Sequence, residues 1–370
     1  MTVGNIALFS SPSASCRSPA LDLTRSADSG LIVAEDIAIP NPQPIADTPK
    51  SAARDPQSAA RNPQRAIHNP QSVRPLLKWA GGKRQLLPAF RRFYPREFGA
   101  YFEPFVGSGA VFFDLLSAHA LDGRRVSLTD SNRDLVGCYR MVRDNPSDVV
   151  EALERLAVGH AAGGERHYYQ VRDGFNALRD AMPSRALAYT PALAAMFIYL
   201  NRTGFNGLFR LNGDGRFNVP AGRYARPRIF DPEHVFAISR VLARRGVSIG
   251  VAAFDRVVKK AQSGDFLYFD PPYAPISQTA RFTAYTAEPF TLDDHQHLCD
   301  VAAVLAARGC HVMVSNSSAP AIATLYESNP KVAAAGLRVY RLPARRAINS
   351  HGEARGEITE LLLTNLGPRH

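Results

Sequence analysis

From residue 101 onward, apolar positions form short buried runs that alternate with longer helical patterns, and the alternation is broken once. "YFEPFV" (101–106) predicts a buried strand and "AVFFDLLSA" (110–118) a helix. "RVSLTD" (125–130) predicts a second strand, followed by a helix capped by Ser131 or Asn132 with Asp134 in its first turn. Residues 147–200 carry several helical patterns and little strand signal. Residues 201–228 hold five glycines and no sustained period, which predicts a long loop or hairpin region. Asp231 and Pro232 open a new helix. Alternation then resumes with strands at 247–251, 265–270 and 311–316, a helix over about 291–307, and two last strands at 337–342 and 358–365. This order predicts an α/β fold, a doubly wound Rossmann-like sheet interrupted by a helical insertion.

The first 73 residues are different. They are rich in Pro, Ser and Ala and contain a seven-residue echo, "DPQSAAR", "NPQRAIH", "NPQ", too short and Pro-rich to bury a face. The reading is a disordered tail over 1–73, a first α/β part over 74–146, a helical insertion over 147–245 and a second α/β part over 246–370. The formal charge is +11, and the tail balances six Lys/Arg against six acids, so the excess lies on the folded body. A basic body suits a polyanion such as nucleic acid, although arginine-rich chains can be basic without one. The four cysteines show no CxxC pair and no His at metal-ligand spacing, so no metal is expected. The start lacks a basic leader, and no run reaches the roughly 18 apolar residues of a membrane span. A cytoplasmic protein is expected.

Four stretches carry candidate chemistry. In "FVGSG", Phe105, Gly107 and Gly109 sit between a strand and a helix, where glycines allow a sharp turn and close approach of a ligand. Asp130 ends the next strand 21 residues after Gly109 (130 − 109), placed to accept hydrogen bonds from ribose hydroxyls. The third glycine of a dinucleotide fingerprint is missing, which favours an adenosine-containing ligand over NAD. The plain alternative is a tight turn and a helix-capping Asp. "LLKWAGGKRQLLP" places Lys78, Trp79 and Lys83 around a Gly pair, either to cap a ligand or simply to anchor a turn.

In "DFLYFDPPYAP", Asp270 ends a strand at the crevice where doubly wound sheets bind ligands. Pro271 and Pro272 stiffen the turn and Tyr273 offers a ring, a set that suits a planar base with an exocyclic amine. A capped strand end with a surface aromatic is the plain alternative. The 201–228 segment sets Arg202, Arg210, Arg216, Arg223, Arg226 and Arg228 against Asp214 alone, with Phe205, Phe209, Phe217 and Tyr224 interleaved. Such a loop can contact phosphates, read guanine and wedge a duplex, or it is a solvated basic loop.

Together, "LKWAGGK", "EPFVGSGAVF", "LTDSN", "YLNRTGFNGLFR", "GRFNVPAGRY", "DPPYAP" and "FTAY" resemble, in order, the motifs of the S-adenosylmethionine-dependent DNA adenine methylases, the Dam family. The closing "RRAINSHGEARGEITELLLTN" resembles that family's C-terminal strand pair. The resemblance implies cofactor binding for 74–146, target recognition for 147–245 and catalysis for 246–370, with S-adenosylmethionine contacts at Trp79, Lys83, Phe105, Gly107, Gly109, Asp130 and Asp270. It implies a pocket for a flipped adenine at Asp270, Pro271, Pro272 and Tyr273. It also implies double-stranded DNA contacts at Lys78, Arg202, Phe205, Asn206, Leu208, Arg210, Pro220, Arg223 and Arg226, a GATC target and a monomeric enzyme. Phe205 stands where relatives often carry Tyr, and "SNSS" (315–318) differs from their Ser-Asn-His-Asp. Three alternatives stay open: the methylase of a restriction-modification pair, a nicotinamide oxidoreductase and a non-catalytic DNA-binding module.

Overall fold

The computed structural model describes residues 73–79, 83–182, 189–273, 290–345 and 357–369. The expected tail, with Cys16, lies outside them except for Val73, as do the Gly81–Gly82 pair, Ala274 and Pro275, "FTAY" and most of "RRAINSHGEARG".

Seven strands form one sheet in the order β3-β2-β1-β4-β5-β7-β6. β1 (Tyr101–Glu103), β2 (Val126–Asp130), β3 (Val247–Val251), β4 (Phe266–Phe269) and β5 (His311–Ser317) run parallel. β7 (Glu357–Thr364) inserts antiparallel between β5 and β6 (Arg338–Arg345). The strand order reverses between β1 and β4, so the ligand crevice of such a sheet lies beyond the carboxyl ends of those two strands.

Side-chain alternation puts the strands in two apolar layers. Tyr101, Phe266 and Tyr268 face one cluster, while Phe102, Leu267 and Phe269 face the other. The second layer is covered by α7 (Leu292–Ala307), which opens on a Thr291–Asp294 capping box, and by α8 (Pro320–Glu327) and α9 (Pro330–Ala334). The first layer is covered by α1 (Leu87–Phe90), α2 (Ala110–Ser117), α3 (Arg133–Asp144) and α6 (Pro232–Leu242). It continues without a break into the insertion, α4 (Pro146–Ala181) and α5 (Pro191–Thr203), through Leu153, Phe175, Phe197 and Ile198. α4 is interrupted at Gly164, whose φ of 52° and ψ of −126° are not helical.

The expected caps hold: Asn132 accepts from Leu135 N at 3.1 Å and Asp231 starts α6. The segment after α5 is a hairpin region. A single helical turn at Phe205–Gly207 is followed by bridges between Gly204 and Ala221 and between Leu211 and Phe217.

Candidate active site

β4 delivers Asp270 to the switch point, and the residues around it are buried. Lys83, 2% exposed at the start of a short helical turn, places Nζ 2.8 Å from Asp270 Oδ1 and 4.0 Å from Glu360 Oε2. Ser315 Oγ on β5 donates to Asp270 Oδ1 at 3.2 Å and bonds Tyr268 Oη at 2.9 Å. Both Asp270 contacts fall on Oδ1, and a carboxylate accepts about four hydrogen bonds, so Oδ2 keeps capacity for a ligand. Burial raises the Asp270 carboxyl above the usual range, opposed by Lys83 and Ser315. Burial likewise raises Glu360, with Lys83 opposing.

Pro271 is buried and Pro272 half-buried. Lys83 Nζ lies 4.5 Å from the Tyr273 ring centroid, so one face of that ring is taken and a stacked base would use the other. Tyr273 Oη and Glu360 Oε2 are both buried and interact with each other without reaching full hydrogen-bond geometry. Lys83 is buried against Asp270 and serves as its counter-ion, because an unpaired buried charge is costly.

The glycine turn is held from both sides. Gly107 N donates to Asp130 Oδ2 at 3.1 Å, and Tyr139 Oη on α3 donates to Gly107 O at 3.0 Å. Gly107 has φ 46°, and a Cβ there would lie 2.9 Å from Trp79 Cδ1, so only glycine lets the indole lie on the turn. Gly109, φ 69°, caps α2. Asp130 also accepts from Asn132 N at 2.9 Å, and burial lifts its carboxyl to about 6. Glu103, fully interior, accepts from Tyr101 Oη at 2.8 Å and from Phe112 N at 3.1 Å on the same oxygen. It ties β1 to the first turn of α2, and burial raises it to about 8.

Trp79 stacks with Phe209 at 6.2 Å and with Phe197 at 6.5 Å, linking the glycine turn to the arginine-rich segment. Phe105 stacks on Phe254 at 5.4 Å and meets Phe290 edge-on at 5.7 Å, on the opposite side of the sheet.

The segment expected to face DNA begins beside Lys78. Asn201 clamps it, accepting from Lys78 N at 2.9 Å and donating to the carbonyls of Lys78 at 2.6 Å and Gly207 at 2.9 Å. Lys78 Nζ sits 4.4 Å from the Tyr224 ring. Phe205 is 46% exposed, large enough and free enough to act as a wedge, and Asn206 follows with φ 54°. Phe205 N bonds Pro220 O at 2.9 Å, so Phe205, Asn206, Leu208 and Pro220 share one small surface, with Leu208 half-buried.

The arginines divide. Arg202 donates to Leu76 O at 2.6 Å and its Nε is buried, so it braces α5 against the entering chain rather than projecting outward. Arg216 and Arg228 pair with Asp180 at 3.4 Å and Asp231 at 2.5 Å. Arg210 is held by Asn218. Arg223 and Arg226 are exposed, without an ion pair among the described residues, and line a groove of about 910 Å³ against α4.

Ser315 and Glu360 were not expected at the site. A lone acid inside the apolar run "ITELLLTN" was the available signal for Glu360. Ser315 gave none beyond its place on a buried strand.

Comparison with known proteins fits this geometry. The family model for the D12 class N6 adenine-specific DNA methyltransferases matches residues 79–344. Similar proteins include the Type II methyltransferase M1.LlaDCHI of Lactococcus lactis subsp. cremoris, 38% identical over 80% of this chain and 96% of that protein. The Type II methyltransferase M.MjaIII of Methanocaldococcus jannaschii is 37% identical over 79% and 99%. The DNA adenine methylase of Escherichia coli (strain K12) is 36% identical over 78% and 94%. A crevice that ends in an Asp-Pro-Pro-Tyr turn, beside a basic hairpin and under a match covering most of the chain, identifies this protein as a member of the D12 class N6 adenine-specific DNA methyltransferase family.

Proposed function

We propose that this enzyme transfers a methyl group from S-adenosylmethionine to N6 of an adenine flipped out of double-stranded DNA, within GATC. The observation that carries the reading is the half-buried Asp270 at the end of β4, oriented through Oδ1 by Lys83 and Ser315.

The residues fit such a cofactor in three respects. Gly107 lets the Trp79 indole pack directly on the glycine turn, which sets an aromatic wall beside the place a ligand would take. Asp130 accepts from the backbone amides of Gly107, Ser131 and Asn132, and a carboxylate with about four acceptor sites keeps room for a hydroxyl. Asp270 and Glu360 face one buried ammonium, so the crevice suits a ligand that brings positive charge. Trp79, Lys83, Phe105, Gly107, Gly109, Asp130 and Asp270 would hold it. When bound, S-adenosylmethionine supplies a methyl group already activated on a sulfonium.

The chain's own contribution is alignment and charge support. Asp270 Oδ2 and the Pro271 carbonyl accept the two hydrogens of the adenine amine, drawing the nitrogen toward tetrahedral geometry and freeing its lone pair. The open face of Tyr273 supports the ring. Removing a base from the stack costs about a few kcal/mol, and Phe205 offsets it by filling the space left behind. Lys78, Asn206, Leu208, Arg210 and Pro220 would read the target, while Arg223 and Arg226 hold the backbone. The enzyme would act as a monomer in the cytoplasm.

Two of the relatives bear the name Type II methyltransferase, which supports a second reading, partnership with a restriction nuclease, that uses the same chemistry. The test of the first reading is labelled-methyl transfer onto GATC duplexes, with nucleosides separated afterwards. N6-methyladenine at GATC supports it; label in cytosine, or equal label on duplexes lacking GATC, contradicts it.

A further inference from the structure

In the hairpin, Arg210 is fixed by a single neighbour, Asn218, through several contacts. Its Nε donates to Asn218 Oδ1 at 2.7 Å and its Nη2 to Asn218 O at 3.3 Å, and Asn218 N returns a bond to Arg210 O at 3.1 Å. The rungs beyond are closed by the Leu211–Phe217 bridge and by Asn212 N to Arg216 O at 2.9 Å.

Asn218 itself cannot drift. On α4, the buried Asn176 donates to Phe217 O at 2.9 Å and accepts from Phe217 N at 2.7 Å, and Tyr168 Oη donates to Val219 O at 2.9 Å. Arg179, doubly bonded to Asp134 at 3.0 and 3.1 Å, donates to Gly215 O at 2.7 Å near the hairpin tip. Phe209 and Phe217, flanking the pair, are buried.

A guanidinium has five N–H groups in one plane. Asn218 takes the Nε hydrogen and one on Nη2, which leaves the outer hydrogens of Nη1 and Nη2 as a parallel fork. That fork matches guanine O6 and N7 in the major groove. A free arginine would have to lose side-chain freedom on reading the base, whereas this one is already ordered.

We propose that Asn218 is a specificity-determining positioning residue, which fixes Arg210 in its base-reading orientation and is itself fixed by α4 through Asn176, an inference that rests on Arg210 being the side chain that reads guanine. Asn218 acts through Arg210, so its loss should affect one base pair of the target and not the others.

The experiment measures methylation rates on a GATC duplex and on duplexes altered at one base pair at a time. Asn218→Ala should narrow discrimination at the base pair read by Arg210 by about 10-fold, the scale of one good bidentate contact, and leave discrimination at the other positions unchanged. Asn218→Asp, which keeps the acceptor, should retain discrimination while lowering the rate on all duplexes alike, because it adds a negative charge. If Asn218→Ala does not fold, Asn218→Ser, too short to reach Nε, carries the same test. A loss by one common factor on every duplex would make Asn218 a merely structural hairpin residue and overturn the proposal. Arg210→Ala separates the two levels. If it leaves discrimination intact at every position, the reading of Arg210 fails and the proposal with it. If it narrows discrimination and Asn218→Ala does not, only the positioning role fails.

Discussion

The two working regions of this enzyme treat charge in opposite ways. At the carboxyl end of β4, charged groups are turned inward: Asp270 meets the buried Lys83, and Asp130 caps the glycine turn through backbone amides. In the hairpin after α5, arginines are braced from behind, as Arg210 is by Asn218, or left in solvent, as Arg223 and Arg226 are. Transfer to a weakly nucleophilic amine needs fixed groups shielded from water, whereas meeting a polyanion needs charge at the surface. Carboxyls raised by burial accordingly include Asp270, Asp130, Glu103 and Glu360 around the crevice, while Arg223 and Arg226 present their side chains to solvent.

If this division is real, damage to each region should leave the other's property intact. The largest effect is expected at Asp270. Asp270→Ala should lower the methyl-transfer rate by about 100- to 1,000-fold or more, the scale of losing a preorganised polar contact, with DNA affinity in a mobility-shift assay nearly unchanged. Substantial turnover, or a parallel loss of DNA binding, would break the comparison.

A smaller effect is expected from the exposed end. Arg226→Ala should weaken binding by a similar few-fold factor on every duplex, and the slope of log affinity against log salt should become shallower by about one unit. A change in sequence preference would move Arg226 from backbone contact to base reading.

The smallest effect concerns stability and pH. Glu103 is raised from the ordinary 4.5 to about 8 by burial. A folded state that holds the proton more tightly than the unfolded chain becomes less stable as pH rises between those two values. Glu103→Gln keeps an oxygen for Tyr101 and Phe112 and does not titrate. Its melting temperature should therefore gain on the parent's by a few degrees between about pH 5 and about pH 9. A constant difference across that range would mean that Glu103 is already ionised in the fold.

Much of this was legible in the sequence because strand ends are local features. The apolar run before Asp270, the glycines around Ser108 and the acid closing β2 each follow from a few consecutive residues, and together they place the crevice. Lys83 was legible as a site residue but not as a buried one, since its partner lies 187 positions away (270 − 83). Ser315 and Glu360 reach the site only through register: Glu360 lies opposite Ser317 because β7 enters between β5 and β6, an order that no local pattern encodes. Arg202 was expected at DNA by its company in an arginine-rich stretch. Its position in the last turn of α5 sets it beside the entering chain, where it donates to Leu76 O, a contact that no local pattern encodes. The segment reads as a loop or a hairpin without a choice between them, because its order comes from Asn176, Arg179 and Tyr168 on α4.

The central claim is that one region modifies adenine and the other chooses which adenine. Methylome sequencing of DNA from cells expressing the parent, Asp270→Ala and Arg210→Ala enzymes tests it most directly, because one readout gives both the modified base and its context. The account predicts N6-methyladenine confined to GATC with the parent, none with Asp270→Ala, and a spread to sites altered at a single base pair with Arg210→Ala. Methylation by Asp270→Ala, or an Arg210→Ala pattern that merely fades without changing its sites, would contradict it.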